Sequence, residues 1–180
     1  MIEYRIATLD DVAALEQLIP ISTRELQSQY YHHDQIEAAI GTVFGVDSQL
    51  IKDGTYFAAI IEGRIIGCGG WSKRKTLYGG DHLKKQEDPL RDPSIEPAMI
   101  RAFFVHPEFI RRGIGRRFIQ LCEEALVVAG FKSVDIVATL AGEPLYANCG
   151  YLVTDRYEIP LINGLSIQVV RMAKILTSPS

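Results

Sequence analysis

Phe103-Phe104-Val105-His106-Pro107-Glu108-Phe109-Ile110-Arg111-Arg112-Gly113-Ile114-Gly115-Arg116 is the stretch on which the reading of this chain turns. It follows Ala98-Met99-Ile100-Arg101-Ala102, so residues 98–105 form a nearly continuous apolar run broken only by Arg101. Such a run is expected of a strand buried on both faces. His106-Pro107 ends it. From Ile114 to Ala129 the apolar residues Ile114, Phe118, Leu121, Cys122 and Ala125 recur at helical spacing, and Gly130 supplies a stop. The segment therefore reads as strand, short loop and basic glycine turn opening a long amphipathic helix. The first amides of a helix have no intrahelical acceptor, and its dipole favours anions there. Gly113 and Gly115 remove side chains that would keep a diphosphate from those amides, while Arg111, Arg112, Arg116 and Arg117 add positive charge.

Two familiar phosphate-binding patterns do not fit. The third glycine of a dinucleotide fingerprint would fall at Phe118, and no Gly-Lys-Ser/Thr follows the turn as a P-loop requires.

Working outward, Ile2–Ile6 alternates as a first strand, and Thr8 is a helix N-cap candidate with Asp10 and Asp11 in the first turn. Val12, Leu15, Leu18 and Ile19 give that helix an apolar face. Pro20 is expected to interrupt it, with further helices from Ser22 to about Tyr30 and from Asp34 to about Val43. Thr55–Glu62 and Ile65–Ser72 read as a hairpin turning at Glu62-Gly63-Arg64. Lys73–Pro97, with Gly79-Gly80 and three prolines, is a long loop, and loops of that length tend to be functional. Val134–Ala138 is another strand and Gly142–Asn148 a short helix. Leu152–Ile159 and Leu165–Ala173 are closing strands around Asn163-Gly164. The order predicts one α/β domain over residues 1–176 around a mixed sheet, with 177–180 a tail.

Composition narrows the partners. The chain has 180 residues, 47% of them hydrophobic and 23% charged, which suits one ordinary globular domain. A formal net charge of −3 argues against broad attraction to nucleic acid or anionic membrane. Cys68, Cys122 and Cys149 are odd in number and far apart, which gives neither a disulfide framework nor a zinc spacing, and no metal site is expected. The start of the chain has no apolar signal region, and no apolar stretch approaches the ~20 residues of a membrane span. A cytoplasmic protein is expected.

With its surroundings, the 98–116 segment resembles motif A of the GCN5-related N-acetyltransferases (GNAT family). There a strand ending in Val-His-Pro leads to Gln/Arg-x-x-Gly-x-Gly/Ala at a helix start. Tyr146-Ala147-Asn148-Cys149-Gly150-Tyr151 resembles the family's Tyr-x-x-x-Gly-Phe/Tyr signature, and the spacing between the motifs also fits. The resemblance covers nearly the whole chain. One departure is Ile110, which stands three residues before Gly113 where the family has Gln or Arg and offers only its backbone.

The resemblance implies a mostly antiparallel mixed sheet with a splayed parallel pair, flanked by helices, and acetyl-CoA as cofactor. It implies that the pantetheine arm lies along Phe103, Phe104 and Val105, and that Arg111, Arg112, Gly113, Ile114, Gly115 and Arg116 surround the phosphates. The implied activity is direct acetyl transfer to a primary amine of a small molecule or peptide. A homodimer stays open. Tyr146 occupies the position of the tyrosine that protonates the departing thiolate, and a phenol of reference pKa ~10 suits that task. The family's strand glutamate, second in Ala-Glu-Ile, is here Met99. Glu96 is the nearest acidic candidate for the base, His32 and His33 are further candidates, and Cys149 has no evident base beside it. A non-catalytic acyl-CoA-binding sensor or interaction module is the rival reading, supported by Met99 and opposed by Tyr146.

Overall fold

Glu62 and Gly63 both take positive φ, 48° and 78°. This two-residue turn matches the right-handed twist of the strands it joins. It links β2 (Tyr56–Ile61) to β3 (Arg64–Ser72). In the computed structural model, which describes residues 1–83 and 87–177, this hairpin is the middle of one half of a seven-stranded sheet. β1 (Glu3–Ile6) pairs with β2, and β4 (Ala98–Val105) with β3, all antiparallel. The other half consists of β5 (Ser133–Thr139), β6 (Leu152–Pro160) and β7 (Ser166–Ile175) in the order β5-β7-β6, again antiparallel. Within the sheet the halves meet at the parallel pairing of β4 with β5, confined to Ala98–Ile100 against Val134–Ile136. The mixed, mostly antiparallel sheet with one splayed parallel pair is the architecture expected. Residues 178–180 of the expected tail, and 84–86 of the long loop, lie outside the described residues.

Beyond Ile100 the ladder between β3 and β4 slips: Arg101 faces Gly70 and Phe104 faces Cys68, so two residues of β4 oppose Gly69 alone. Ala102 takes φ 56° in this bulge, and the Tyr56 hydroxyl donates to its carbonyl at 2.6 Å. A Cβ on Gly69 would sit 2.5 Å from the Phe103 ring, so only glycine lets that ring cross the neighbouring strand.

Helices cover both faces. α1 (Val12–Leu26), α2 (His33–Ala39) and α3 (Ser48–Lys52) bury a core containing Leu15, Ile19, Tyr56, Phe104 and Val169. α4 (Ile114–Val128) and α5 (Glu143–Asn148) bury Phe118, Leu126, Ile136 and Tyr146 on the other face. Thr8 caps a 3-10 turn at Leu9–Asp11 that runs into α1, its amide donating to Asp11 Oδ2 at 2.8 Å.

Pro20 does not interrupt α1. Its missing N–H frees only the carbonyl of exposed Glu16, which water can satisfy, while the buried face continues through Leu18, Ile19, Ser22 and Thr23. The helix expected from Ser22 to Tyr30 is therefore the second half of α1, and it stops at Leu26. α2 ends at Ala39, short of Val43, because Gly41 turns back at φ 88°. α3 was not legible in the sequence; Asp47 caps it by accepting from the Gln49 amide at 3.0 Å. Among the described residues no helix is long and apolar enough to cross a membrane.

Candidate active site

Where β4 and β5 part, a cleft of about 960 Å³ opens and passes through the sheet from one helical face to the other. Arg101–Val105 line one lip and Ile136–Thr139 the other. Beyond Ile100, β4 pairs with β3 along one edge only, so the edge toward β5 presents backbone groups to the cleft.

At the end of β4, His106 Nδ1 accepts from the Glu108 amide at 3.2 Å and Pro107 starts a 3-10 turn. Arg111 (φ 60°) and Gly113 (φ 80°) then wind the chain into α4. The first bond closing the helix is Arg117 N–H to the Gly113 carbonyl, at 2.9 Å. The amides from Arg111 through Arg116 donate to no carbonyl or side chain among the described residues. This concave run of unpaired N–H groups at a helix N-terminus fits an anion such as a diphosphate.

The two glycines of the turn differ in what they do. Gly113 faces open space but needs its left-handed φ, which a β-branched residue resists. Gly115 is where α4 presses on α5: a Cβ there would lie 2.7 Å from Leu145 Cδ2. The arginines also divide. Arg111 and Arg116 line the cleft together with Ile110, and neither forms an ion pair among the described residues. Arg112 instead stacks on the Phe109 ring at 4.9 Å, and Arg117 lies 6.0 Å over Tyr4.

Tyr146 is carried by α5, which starts with Pro144 in its first turn. Its ring packs 5.9 Å from Phe103 and 5.8 Å from Tyr151, and the residue is 4% exposed where it lines the cleft. Tyr151 is anchored in turn, its hydroxyl donating to Glu123 at 2.9 Å beside Lys174 at 3.0 Å. The Tyr146 hydroxyl makes no hydrogen bond among the described residues. Burial, with Cys122 and Cys149 nearby, pushes its pKa well above the ordinary phenol value, so it stays protonated and keeps a proton to donate.

The acidic candidate lies elsewhere. Glu96 precedes β4 at the end where the sheet is closed, and it does not line the cleft. It accepts from the Asp92 amide at 2.6 Å and sits 3.5 Å from Lys75, contacts that hold its carboxyl below the usual range. Met99 is wholly buried between Ser72 and Asp135 on the neighbouring strands, and it too is outside the cleft. His32 and His33 line a separate surface hollow with Arg24 and Tyr31. The one carboxylate among the cleft-lining residues is Glu25, on the exposed side of the last turn of α1. Sequence reasoning missed it: the helix expected from Ser22 carries Glu25, but nothing in the local pattern shows that its last turn reaches the cleft.

The sequence profile of the acetyltransferase (GNAT) family matches residues 14–151. No curated protein is significantly similar. Among solved structures, a GCN5-related N-acetyltransferase from Rhodopseudomonas palustris superposes with a TM-score of 0.72 at 19% identity, covering 97% of this chain and 95% of that one. PaiA N-acetyltransferase from Thermoplasma acidophilum, solved with coenzyme A, gives 0.68 at 14% identity over 97% and 99%. A GNAT-family acetyltransferase from Brucella melitensis, solved with acetyl-CoA, gives 0.58 at 14% identity over 100% and 91%. At such identities these neighbours speak for the fold, and the profile match across most of the chain settles membership: this chain belongs to the acetyltransferase (GNAT) family.

Proposed function

We propose that the chain transfers an acetyl group from acetyl-CoA directly to a primary amine, with Tyr146 as general acid. The observation that carries this reading is the placement of a neutral, unpartnered phenol on the same cleft as the open β4 edge and the unpaired amides of Arg111–Arg116. The residues fit the donor: the amides and the charges of Arg111 and Arg116 hold the diphosphate, and the backbone of Phe103–Val105 pairs with the pantetheine arm. Acetyl-CoA, when bound, supplies the activated acetyl group and a thiolate leaving group. Tyr146 donates its proton to that thiolate, and its burial among Phe103 and Tyr151 fixes the ring for the task. The amine attacks in its neutral form, the proton it sheds passes to water, and the Tyr146 phenolate takes a proton back from water once the thiol has formed.

Tyr146→Phe tests this. The ring keeps its packing and only the hydroxyl is lost, so CoA affinity by calorimetry should hold. Turnover at saturating acetyl-CoA should fall at least ~10-fold, since general acid catalysis typically supplies ~10²–10⁴. Wild-type turnover in this variant would return Tyr146 to a packing role. Tight CoA binding without thiol release for any amine would favour a non-catalytic sensor.

A further inference from the structure

On the α1 face, past Tyr146 and Phe103, the cleft becomes an apolar chamber lined by Leu26, Phe44, Phe104, Ile159 and Val169, with Tyr78 at its side. The Phe44 and Phe104 rings meet edge to face at 6.3 Å. We infer that the acceptor is a primary amine on an apolar, ring-bearing body that carries no carboxylate or phosphate. This rests on the acetyltransferase reading above and names the substrate class of the same site.

Charge carries the second half of the argument. Among the described residues, the cations lining the cleft are Arg101, Arg111 and Arg116. Arg111 and Arg116 stand at the start of α4, on the donor side of the sheet. Arg101 faces the chamber side but is only 3% exposed. Its Nη2 lies 3.2 Å from Asp47 Oδ2 and also donates to the Gly79 carbonyl. Its Nη1 has no partner and is sealed from solvent, so an acceptor carboxylate would have to part the chamber wall to reach it. An anionic acceptor would thus be desolvated in the chamber without an accessible cation among the described residues, which is unfavourable. Glu25 near the mouth instead draws a cationic amine.

The wall is also made in advance. Gly80 N–H donates to the Thr42 carbonyl at 2.9 Å and Asp81 N–H to the Val46 carbonyl at 2.8 Å. The Ser48 amide adds a bond to Asp81 at 2.9 Å. The segments bearing Phe44 and Tyr78 are stitched together and tied to β4 through Arg101. Such a preformed chamber selects by shape and apolar contact without an ordering cost.

The test compares kcat/KM, read as thiol release at saturating acetyl-CoA, for 2-phenylethylamine, phenylalanine, ethylamine and triglycine. Phenylalanine adds only a carboxylate to 2-phenylethylamine, and ethylamine lacks only its ring. We expect 2-phenylethylamine to exceed each of the others by at least ~10-fold, the range that apolar pocket contacts provide. Tyr78→Ala should narrow its advantage over ethylamine at least ~3-fold, by the same loss of apolar contact, and leave CoA affinity by calorimetry unchanged. Phenylalanine or triglycine matching or passing 2-phenylethylamine, or ethylamine equalling it, overturns the inference while acetyl transfer itself stands. CoA binding with no thiol release for any amine overturns the acetyltransferase reading and the inference with it.

Discussion

The cleft has two unlike sides. On the α4 face it is made of main chain and charge: an open strand edge, a run of unpaired amides, and Arg111 and Arg116. On the α1 face it is made of side chains, mostly apolar, and its one arginine is buried against Asp47. Backbone amides recognise any group with the right charge and reach, whatever the rest of the molecule is. Apolar walls recognise shape, which changes with each side chain. One cleft can therefore hold a constant donor on one side and a particular acceptor on the other.

Breaking the acceptor side at its root should have the largest effect. Arg101→Met strips the guanidinium from buried Asp47 and should cost ~3–5 kcal/mol in urea denaturation. Arg101→Met with Asp47→Leu should recover part of that loss, less the α3 cap that Asp47 provides. If the single variant is as stable as wild type, the pair does not hold the wall.

Gly115→Val probes the donor side. Its crowding of Leu145 should cost ~1–3 kcal/mol, which Leu145→Ala in the same chain should relieve. CoA affinity should remain at least ~10-fold down in the double variant, equivalent to ~1.4 kcal/mol. Recovery of affinity along with stability would make Gly115 a packing glycine alone.

Smaller still is the contrast between two arginines. Arg116→Ala should weaken CoA binding by up to ~1 kcal/mol and the effect should fade in high salt, whereas Arg112→Ala, stacked on Phe109, should do less. Equal effects would undo the division of the turn. The smallest effect belongs to Glu96→Gln. The carboxyl is held below its ordinary value, so its contribution to stability is present above pH ~4.3 and fades as pH falls through the lower folded value. A small stability loss at pH 7 that vanishes in acid, with an unchanged pH–rate profile, is expected. A shifted profile would return Glu96 to the chemistry.

The two sides were not equally legible in the sequence. Phe103–Arg116 is one contiguous stretch in which strand, turn and helix start are local decisions, so the donor side could be read directly. The chamber gathers residues from α1, the 43–45 turn, the long loop, β6 and β7, and no local pattern shows that Glu25, Phe44 and Val169 converge. Glu96 stands in the bend that precedes β4, where its carboxylate is tied back to the Asp92 amide and Lys75 and does not line the cleft, and nothing in the local sequence shows that. The bulge at Ala102 was equally invisible, since alanine gives no hint of φ 56°.

The pairing of β4 with β5 has a mechanical consequence. All its rungs lie at Ala98–Ile100, so beyond them the spacing of β4 and β5 is set by the side chains and helices packed on them and not by backbone bonds. Val105 stands five residues past the last rung, roughly 16 Å away at the usual strand rise. Over such an arm a rotation of about 5° moves the tip by roughly 1.4 Å, enough to stretch a hydrogen bond beyond its working range. A ligand arm lying along β4 and touching β5 would supply the missing rungs, and the width of the cleft beyond it would then depend in part on whether that ligand is bound.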